Sequence, residues 1–222
     1  MSACCGGDND GHGHGGHGHD HAHDLDGVYR NVLWIVFGVN AAMFCIEAVA
    51  GAMAGSVSLQ ADALDFLADA ANYLIALFVL GKAITWRAGA ALVKGGAMAV
   101  FGFYVLGYSA YMATTGGLPE APVMGIVGAM ALVANVGSAV LLYKFRGGDS
   151  NRQSVWLCSR NDAIANVAVI GAAGLVYLTH SHWPDLAVGF LMAALSLHSA
   201  WQIIRHAMGE LRENRLHAHP AE

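Results

Sequence analysis

The sequence predicts an all-α membrane protein with six transmembrane helices and with both termini in the cytoplasm. Of its 222 residues, 56% are hydrophobic and only 12% are charged, whereas soluble domains carry about 25% charged residues. Its mean hydropathy is +0.47. Six apolar stretches follow one another along the chain, and each is close to the length of about 20 residues that a bilayer crossing needs. The distribution of basic residues supplies the orientation.

The six predicted spans are joined by short connections. Glycine and alanine are abundant within them, which favours close packing of helices in lipid. The spans occupy residues 31–54, 57–80, 90–114, 121–143, 155–179 and 184–207. Together they form a membrane domain at 28–208, preceded by a histidine- and glycine-rich segment at 1–27 and followed by a short cytoplasmic tail at 209–222.

Basic residues gather on one side of the predicted spans. Cytoplasmic loops of membrane proteins carry an excess of Lys and Arg, and the connections at 55–56, 115–120 and 180–183 contain neither. We therefore place both termini in the cytoplasm. The eleven basic residues on or within two helical turns of that side are Arg30, Lys82, Arg87, Lys94, Lys144, Arg146, Arg152, Arg160, Arg205, Arg212 and Arg215.

Three aspartates occur within the second span, at Asp62, Asp65 and Asp69. Spacings of three and four place them on one helix face, and each costs roughly 2.5–3.5 kcal/mol at the bilayer centre. A divalent cation compensates such a cluster, because hard and borderline cations take carboxylate oxygens. The alternative is a buried network satisfied by Ser, Thr and Asn neighbours. For Asp62, which lies nearest the outer connection, helix capping or exposure to water is a further alternative.

Repulsion between the aspartates links the predicted metal site to protons. Asp65 and Asp69 lie one turn apart, and two carboxylates about 6 Å apart repel by roughly 3 kcal/mol at an effective dielectric of about 20. One of them therefore binds a proton when no cation is bound, and cation binding displaces that proton. This is a physical basis for exchanging a divalent cation for H⁺.

The fifth span carries a second set of polar side chains. Cys158, Asp162 and Asn166 follow one another at intervals of four and share a helix face, with Asn161 as a weaker candidate. An acid within a membrane span marks a functional site by default, and a cysteine supplies a soft sulfur ligand. For Cys158 the alternative is a small buried hydrophobic side chain, the commoner role of a free cysteine.

Residues 1–27 are rich in histidine, glycine and charge, so we expect them to be disordered when free. Histidine is the commonest transition-metal ligand, and cysteine thiolates also bind metals. We interpret the segment as a loose Zn²⁺-binding tail near a cytoplasmic entrance, with a passive polar tail as the alternative. Its candidate ligands are Cys4, Cys5, His12, His14, His17, His19, His21 and His23.

Two more polar residues have open interpretations. Glu47 in the first span is either a proton-accessible acid or a partner for Asn40 or a buried hydroxyl group. His198 in the sixth span either faces the aspartates of the second span or bonds a backbone carbonyl. The accessory candidates for the metal or proton site are therefore Asp62, Asn161, Asn166, Glu47 and His198.

Three runs carry a resemblance to the cation diffusion facilitator family. Gly55–Asp69 resembles the signature of its second helix, and Asn161–Val169 resembles that of its fifth. Glu47, followed by two glycines at intervals of four, is similar to the end of its first helix. The resemblance covers residues 28–207.

The resemblance implies six transmembrane helices and H⁺-driven export of divalent metal ions from the cytoplasm by alternating access. Zn²⁺ is the expected transported substrate, with Cd, Co, Ni, Fe or Mn as further candidates. By position, the resemblance implies a tetrahedral site from Asp65 and Asp69 of the second helix and Cys158 and Asp162 of the fifth.

Two departures from the family pattern affect these expectations. The family usually has His or Asp at the position of Cys158, and a sulfur ligand favours soft ions such as Cd²⁺. Family members also usually continue into a cytoplasmic domain, whereas only residues 209–222 follow the membrane domain here. We therefore expect a short member of the family, a homodimer whose contact comes from the membrane helices or the tail.

Other functions are also open from the sequence. A membrane metal sensor or store would bind the ion without moving it, and a cation channel would conduct it without coupled proton flux. An enzyme is not expected, since no nucleophile elbow, phosphate loop or zinc-hydrolase signature occurs. The chain has no arginine-rich stripe or aromatic platform for nucleic acid. Compact loops and the lack of a eukaryotic targeting signal favour a bacterial inner membrane.

Overall fold

The structure is a computed structural model that describes the backbone of residues 19–78, 84–145 and 150–218. Side chains are described from residue 27 onward within these ranges, except at 84–85, 87, 150–158, 213 and 215–218. The described residues form six α-helices and no strands. These are α1 (His19–Ala54), α2 (Val57–Phe78), α3 (Ile84–Thr115), α4 (Ala121–Tyr143), α5 (Ser150–Thr179) and α6 (Trp183–Ala218).

The helices agree with the predicted spans in number and order, and they differ at some ends. The range of α4 coincides with the prediction, whereas α1, α3 and α5 begin earlier and α6 ends later. Hydropathy marks only the apolar part of a helix, and backbone hydrogen bonding continues through flanking polar residues. The predicted boundary at residue 27 therefore does not coincide with the start of α1 at His19.

Within the described residues, five helices are long and apolar enough to cross a membrane. The exception is α2, whose 22 residues span about 33 Å at 1.5 Å per residue but include three aspartates. Much of its first half is fully buried among the other helices. The five apolar segments are Gly27–Ala54, Ala88–Thr115, Ala121–Tyr143, Ser159–Thr179 and Trp183–Arg212.

The helices pack mainly as three pairs, in which α1 contacts α2, α4 contacts α5 and α3 contacts α6. The α3–α6 pair meets the other four helices chiefly through α2. Gly189 of α6 permits this approach, because a Cβ atom there would lie 2.7 Å from the carbonyl carbon of Val57. The backbone of α6 therefore lies directly against the first turn of α2.

Asp185, in the first turn of α6, clamps the start of α2. Its carboxylate accepts hydrogen bonds from the hydroxyls of Ser56 (2.7 Å) and Ser58 (2.6 Å) and from the N–H groups of Val57 (2.7 Å) and Ser58 (3.0 Å). The first N–H groups of a helix lack intrahelical partners and attract negative charge. Asp185 is only 1% exposed, so this contact joins the α3–α6 pair firmly to α2.

Asp185→Ala removes the carboxylate that accepts hydrogen bonds from two N–H groups and two hydroxyls. A buried donor without a partner costs about 1–3 kcal/mol, so we expect the free energy of unfolding to fall by about 3 kcal/mol or more. Thermal unfolding of the purified protein in detergent measures this. The control is Glu120→Ala, which removes an exposed side chain that makes no cap hydrogen bond to α4. Equal stability of the two variants would contradict the clamp.

Candidate functional site

The aspartates of α2 lie along one helix face, and each meets a different set of neighbours. Asp62 is fully buried and accepts a hydrogen bond of 2.5 Å from the amide of Asn166 on α5. The oxygen of Asn166 in turn accepts a bond of 2.9 Å from the amide of Asn135 on α4. This chain of buried amides connects α4, α5 and α2 and supplies the carboxylate with a donor, as burial requires.

Glu47 of α1 approaches the same carboxyl group. It is fully buried and close enough to Asp62 for the two carboxyl groups to interact. Among the described residues, no donor forms a hydrogen bond to either carboxyl oxygen of Glu47. The second carboxyl oxygen of Asp62 also lacks a donor there. Two carboxyl groups in contact form a hydrogen bond only with a proton between them. The Glu47–Asp62 pair is therefore chemically suited to holding a proton.

Asp65 is half-buried and turns toward α6. The hydroxyl of Ser196 donates a hydrogen bond of 3.0 Å to its carboxylate. This contact links α6 to the aspartate face about one helical turn after Asp62 along α2.

Asp69 is the point at which the acids of α2 and α5 meet. This residue is only 4% exposed, and its carboxylate accepts a hydrogen bond of 3.0 Å from the hydroxyl of Tyr73. That hydroxyl is also 2.9 Å from the hydroxyl of Ser159 on α5. The carboxyl group of Asp162 and the amide of Asn72 both reach Asp69. A divalent cation bridging the two acids would relieve their repulsion.

The structure therefore brings together two of the four predicted ligands, Asp69 and Asp162. Asp65 is held by Ser196, and the side chain of Cys158 lies outside the described residues, although its backbone belongs to α5. Among the side chains that are described, no three from His, Cys, Asp and Glu are close enough to hold a metal ion. The complete four-ligand site stays a prediction.

The accessory candidates fall into separate places. Asn166 bonds Asp62, while Asn161 is half-buried and accepts a bond of 3.2 Å from Arg160. His198 is exposed and lies 2.9 Å from the amide of Gln202 on its own helix. It therefore does not face the carboxylates of α2, because it lies on another face of α6.

All candidate ligands of the predicted metal-binding tail have side chains outside the described part of the chain. Cys4, Cys5, His12, His14 and His17 lie outside the described residues. The remaining candidates, His19, His21 and His23, belong to the first turns of α1, and their side chains are also outside the described part.

Several partners of the acids were not predicted from the sequence. Each is a polar residue within an apolar helix, and Tyr73 also stands four residues after Asp69, a spacing that brings side chains together. For the lysine inside the apolar stretch of α3, the sequence predicts only a contribution to orientation. The unpredicted partners are Tyr73, Lys94, Asn135, Ser159 and Ser196.

Comparison with known proteins identifies similar sequences. Residues 33–211 match a family model described as the cation efflux transmembrane domain. The zinc transporter ZitB of Escherichia coli (strain K12) is 27% identical over 203 residues, covering 85% of this chain and 64% of that protein. A cadmium, cobalt and zinc/H(+)-K(+) antiporter of Bacillus subtilis (strain 168) is 26% identical over 212 residues, covering 85% and 65%. The chain thus spans less than two thirds of the length of these relatives.

Asn166→Ala tests the amide chain. The change removes the donor to Asp62 and the acceptor for Asn135, so two buried groups lose a partner. Because each buried unpaired group costs about 1–3 kcal/mol, we expect a loss of about 2 kcal/mol or more in the free energy of unfolding. Thermal unfolding in detergent is the measurement, and Asn161→Ala on the same helix is the control, expected within about 0.5 kcal/mol of native. A native free energy of unfolding in Asn166→Ala would show that the hydrogen bonds between these amides do not stabilise the protein.

Proposed function

The chain belongs to the cation efflux transmembrane domain family, and from this premise we propose that it exports divalent transition-metal ions from the cytoplasm in exchange for protons. Zn²⁺ is the proposed substrate, and Cd²⁺ and Co²⁺ follow from the names of the related transporters. Ni, Fe and Mn ions are further candidates. The metal is cargo, bound and released in each cycle, rather than a resident cofactor.

One observation carries this proposal, the contact between Asp69 and Asp162. Acids from two different helices meet inside an apolar bundle, where their repulsion is relieved only by a cation or a proton. Asp65 lies one turn from Asp69 on the same helix face, and Cys158 lies one turn from Asp162. A modest shift of side chains would add these two groups and complete a four-ligand set of Asp65, Asp69, Cys158 and Asp162.

The proposed topology has six membrane crossings with both termini in the cytoplasm. Five described helices have the required length and apolarity, and α2 joins them because its acids face other helices instead of lipid. Basic residues on one side support the orientation. A bacterial inner membrane is the proposed location, in keeping with the bacterial relatives. A homodimer formed through the membrane helices is also part of the proposal.

Proton exchange follows from competition for the same carboxylates. A metal ion arriving from the cytoplasm displaces protons from Asp65, Asp69 and Asp162, and protons from outside later displace the metal. The Glu47–Asp62 pair lies next to this site and offers an accessory place for a proton. Alternating access requires one part of the bundle to move relative to another, and the α3–α6 pair is the candidate because it joins the other helices chiefly through α2.

Asp69→Asn and Asp162→Asn test the transport site in proteoliposomes that contain a pH-sensitive dye. We expect Zn²⁺ or Cd²⁺ to enter as protons leave in the native protein. Each variant should lower both fluxes by more than the roughly 100-fold that loss of an outer-shell partner costs, because a charged ligand is lost. Asp65→Ala should do the same. Glu210→Gln, an acid on α6 that faces His206 at 3.4 Å, is the control and should transport normally.

The possible outcomes separate the three functions. Metal binding without repeated transport of ions by each protein molecule would contradict the transporter proposal and support a sensor or store. Metal flux that follows voltage without proton movement would support a channel. Flux that persists in Asp69→Asn would mean that the site is elsewhere.

Cys158→Ser tests the fourth ligand. Replacing a soft sulfur with a hard oxygen disfavours Cd²⁺ more than Zn²⁺, so we expect the preference for Cd²⁺ over Zn²⁺ to fall by about tenfold. The ratio of the two transport rates, measured in the same proteoliposomes, reports this preference. Cys45→Ser, at an exposed free cysteine on α1, is the matched control. An unchanged ratio in Cys158→Ser would remove this cysteine from the ligand set.

A further inference from the structure

Lys94 is a basic residue buried within the apolar part of α3. Lys94 is only 7% exposed, and it lies within the candidate membrane segment Ala88–Thr115. A cation at such a position is retained only when negative or dipolar groups compensate it. The neighbours of its ammonium group therefore decide what the residue does.

The ammonium group of Lys94 lies near the proposed metal site, although Lys94 is not one of the proposed ligands. It donates a hydrogen bond to the side-chain oxygen of Asn72 on α2. Asn72 stands three residues after Asp69 and also reaches its carboxylate. Lys94 is also close enough to Asp69 for the two charges to attract each other. A positive charge from α3 thus lies beside the place where Asp69 meets Asp162.

The helix that carries this charge belongs to the other part of the bundle. Asp69 and Asp162 lie on α2 and α5, whereas α3 is paired with α6. An attraction between Lys94 and the carboxylates therefore draws the α3–α6 pair toward α2. A divalent cation on the same carboxylates repels the ammonium group and weakens that attraction.

We propose that Lys94 is a built-in cation that competes with the divalent substrate for the carboxylates of Asp69 and Asp162, and that this competition couples metal occupancy to the position of the α3–α6 pair. The proposal rests on the proposed function and deepens it. Without metal, the lysine neutralises part of the buried negative charge. With metal, its repulsion loosens the contact between α3 and α2, which favours the movement of the pair.

The competition has a clear consequence for affinity. If Lys94 only fixed the shape of the site, its removal would weaken metal binding. If it competes with the metal, removing its charge must strengthen binding while slowing the cycle, because a metal ion without a competing cation leaves the carboxylates more slowly. The two effects therefore have opposite signs on equilibrium binding.

The first test measures Cd²⁺ and Zn²⁺ binding to the purified protein at one fixed pH, by competition with a metal-chelating dye. Lys94→Met keeps most of the side-chain volume and loses the charge, and we expect its site to bind metal about tenfold more tightly than native. Lys94→Arg keeps the charge and should stay near native. Lys144→Met, at an exposed lysine following α4, is the matched control.

Metal bound elsewhere is removed by subtraction. An Asp69→Asn/Asp162→Asn double variant lacks the proposed site and retains the histidine-rich segment, so it defines the background. Thermal unfolding identifies a misfolded Lys94→Met, and Lys94→Gln then replaces it. Binding by a folded, uncharged variant that is equal to or weaker than native would overturn the proposal.

Transport in proteoliposomes completes the test. We expect Lys94→Met to bind more tightly yet to exchange metal for protons several-fold more slowly than native, while Lys94→Arg and Lys144→Met transport normally. Unchanged flux in Lys94→Met would overturn the coupling role. If the native protein binds metal without moving it, the proposed function fails, and the affinity comparison still decides whether Lys94 competes with the ion. If the native protein transports and Lys94→Met has native affinity, only the competition fails.

Discussion

The carboxylates of α2 need compensation because the helices around them exclude water and provide a low dielectric. Each neighbouring element contributes to it. Asp62 interacts with Glu47 of α1 and accepts a hydrogen bond from the linked amides of α5 and α4. Asp65 accepts a hydrogen bond from a hydroxyl of α6. A lysine of α3 acts near Asp69. The central position of α2 follows, since one helix can meet partners from all the others only from the middle of the bundle.

These contacts divide the aspartate face into parts with different chemistry. Asp62 lies among neutral amides and another carboxyl group, which suits a proton. Asp69 lies against a second acid and near a cation, which suits competition between positive charges. Such a separation would keep the proposed proton site and the proposed metal site one or two helical turns apart, close enough for each to affect the charge of the other.

Two of the contacts between the α3–α6 pair and α2 differ in kind. Asp185 binds the first turn of α2 through hydrogen bonds that involve no proposed metal ligand. Lys94 reaches α2 through Asn72, near Asp69, where the proposed metal ion would change the local charge. In the proposed cycle, a movement of the pair is therefore constrained at the start of α2 and sensitive to the metal ion proposed to bind farther along the same helix.

Much of the fold was predictable because hydropathy reports which residues avoid water. The range of α4 agreed with the prediction, while α1, α3 and α6 continue into polar sequence that hydropathy does not mark as helical. Spacings of three and four correctly indicated that the acids of α2 share a face. The same spacing rules gave no information about which helix each acid meets, so the roles of Ser196, Asn135 and Lys94 were missed.

The sequence by itself determined the helical class, the order of the six helices and the presence of acids within apolar segments. Local rules suffice for these features, because burial and helical periodicity act over a few residues. Only the tertiary structure decided that Asp69 meets Asp162, that Asp62 faces Glu47, and that His198 faces away. These pairings depend on the rotation and distance of separate helices, which are settled by packing across the whole bundle.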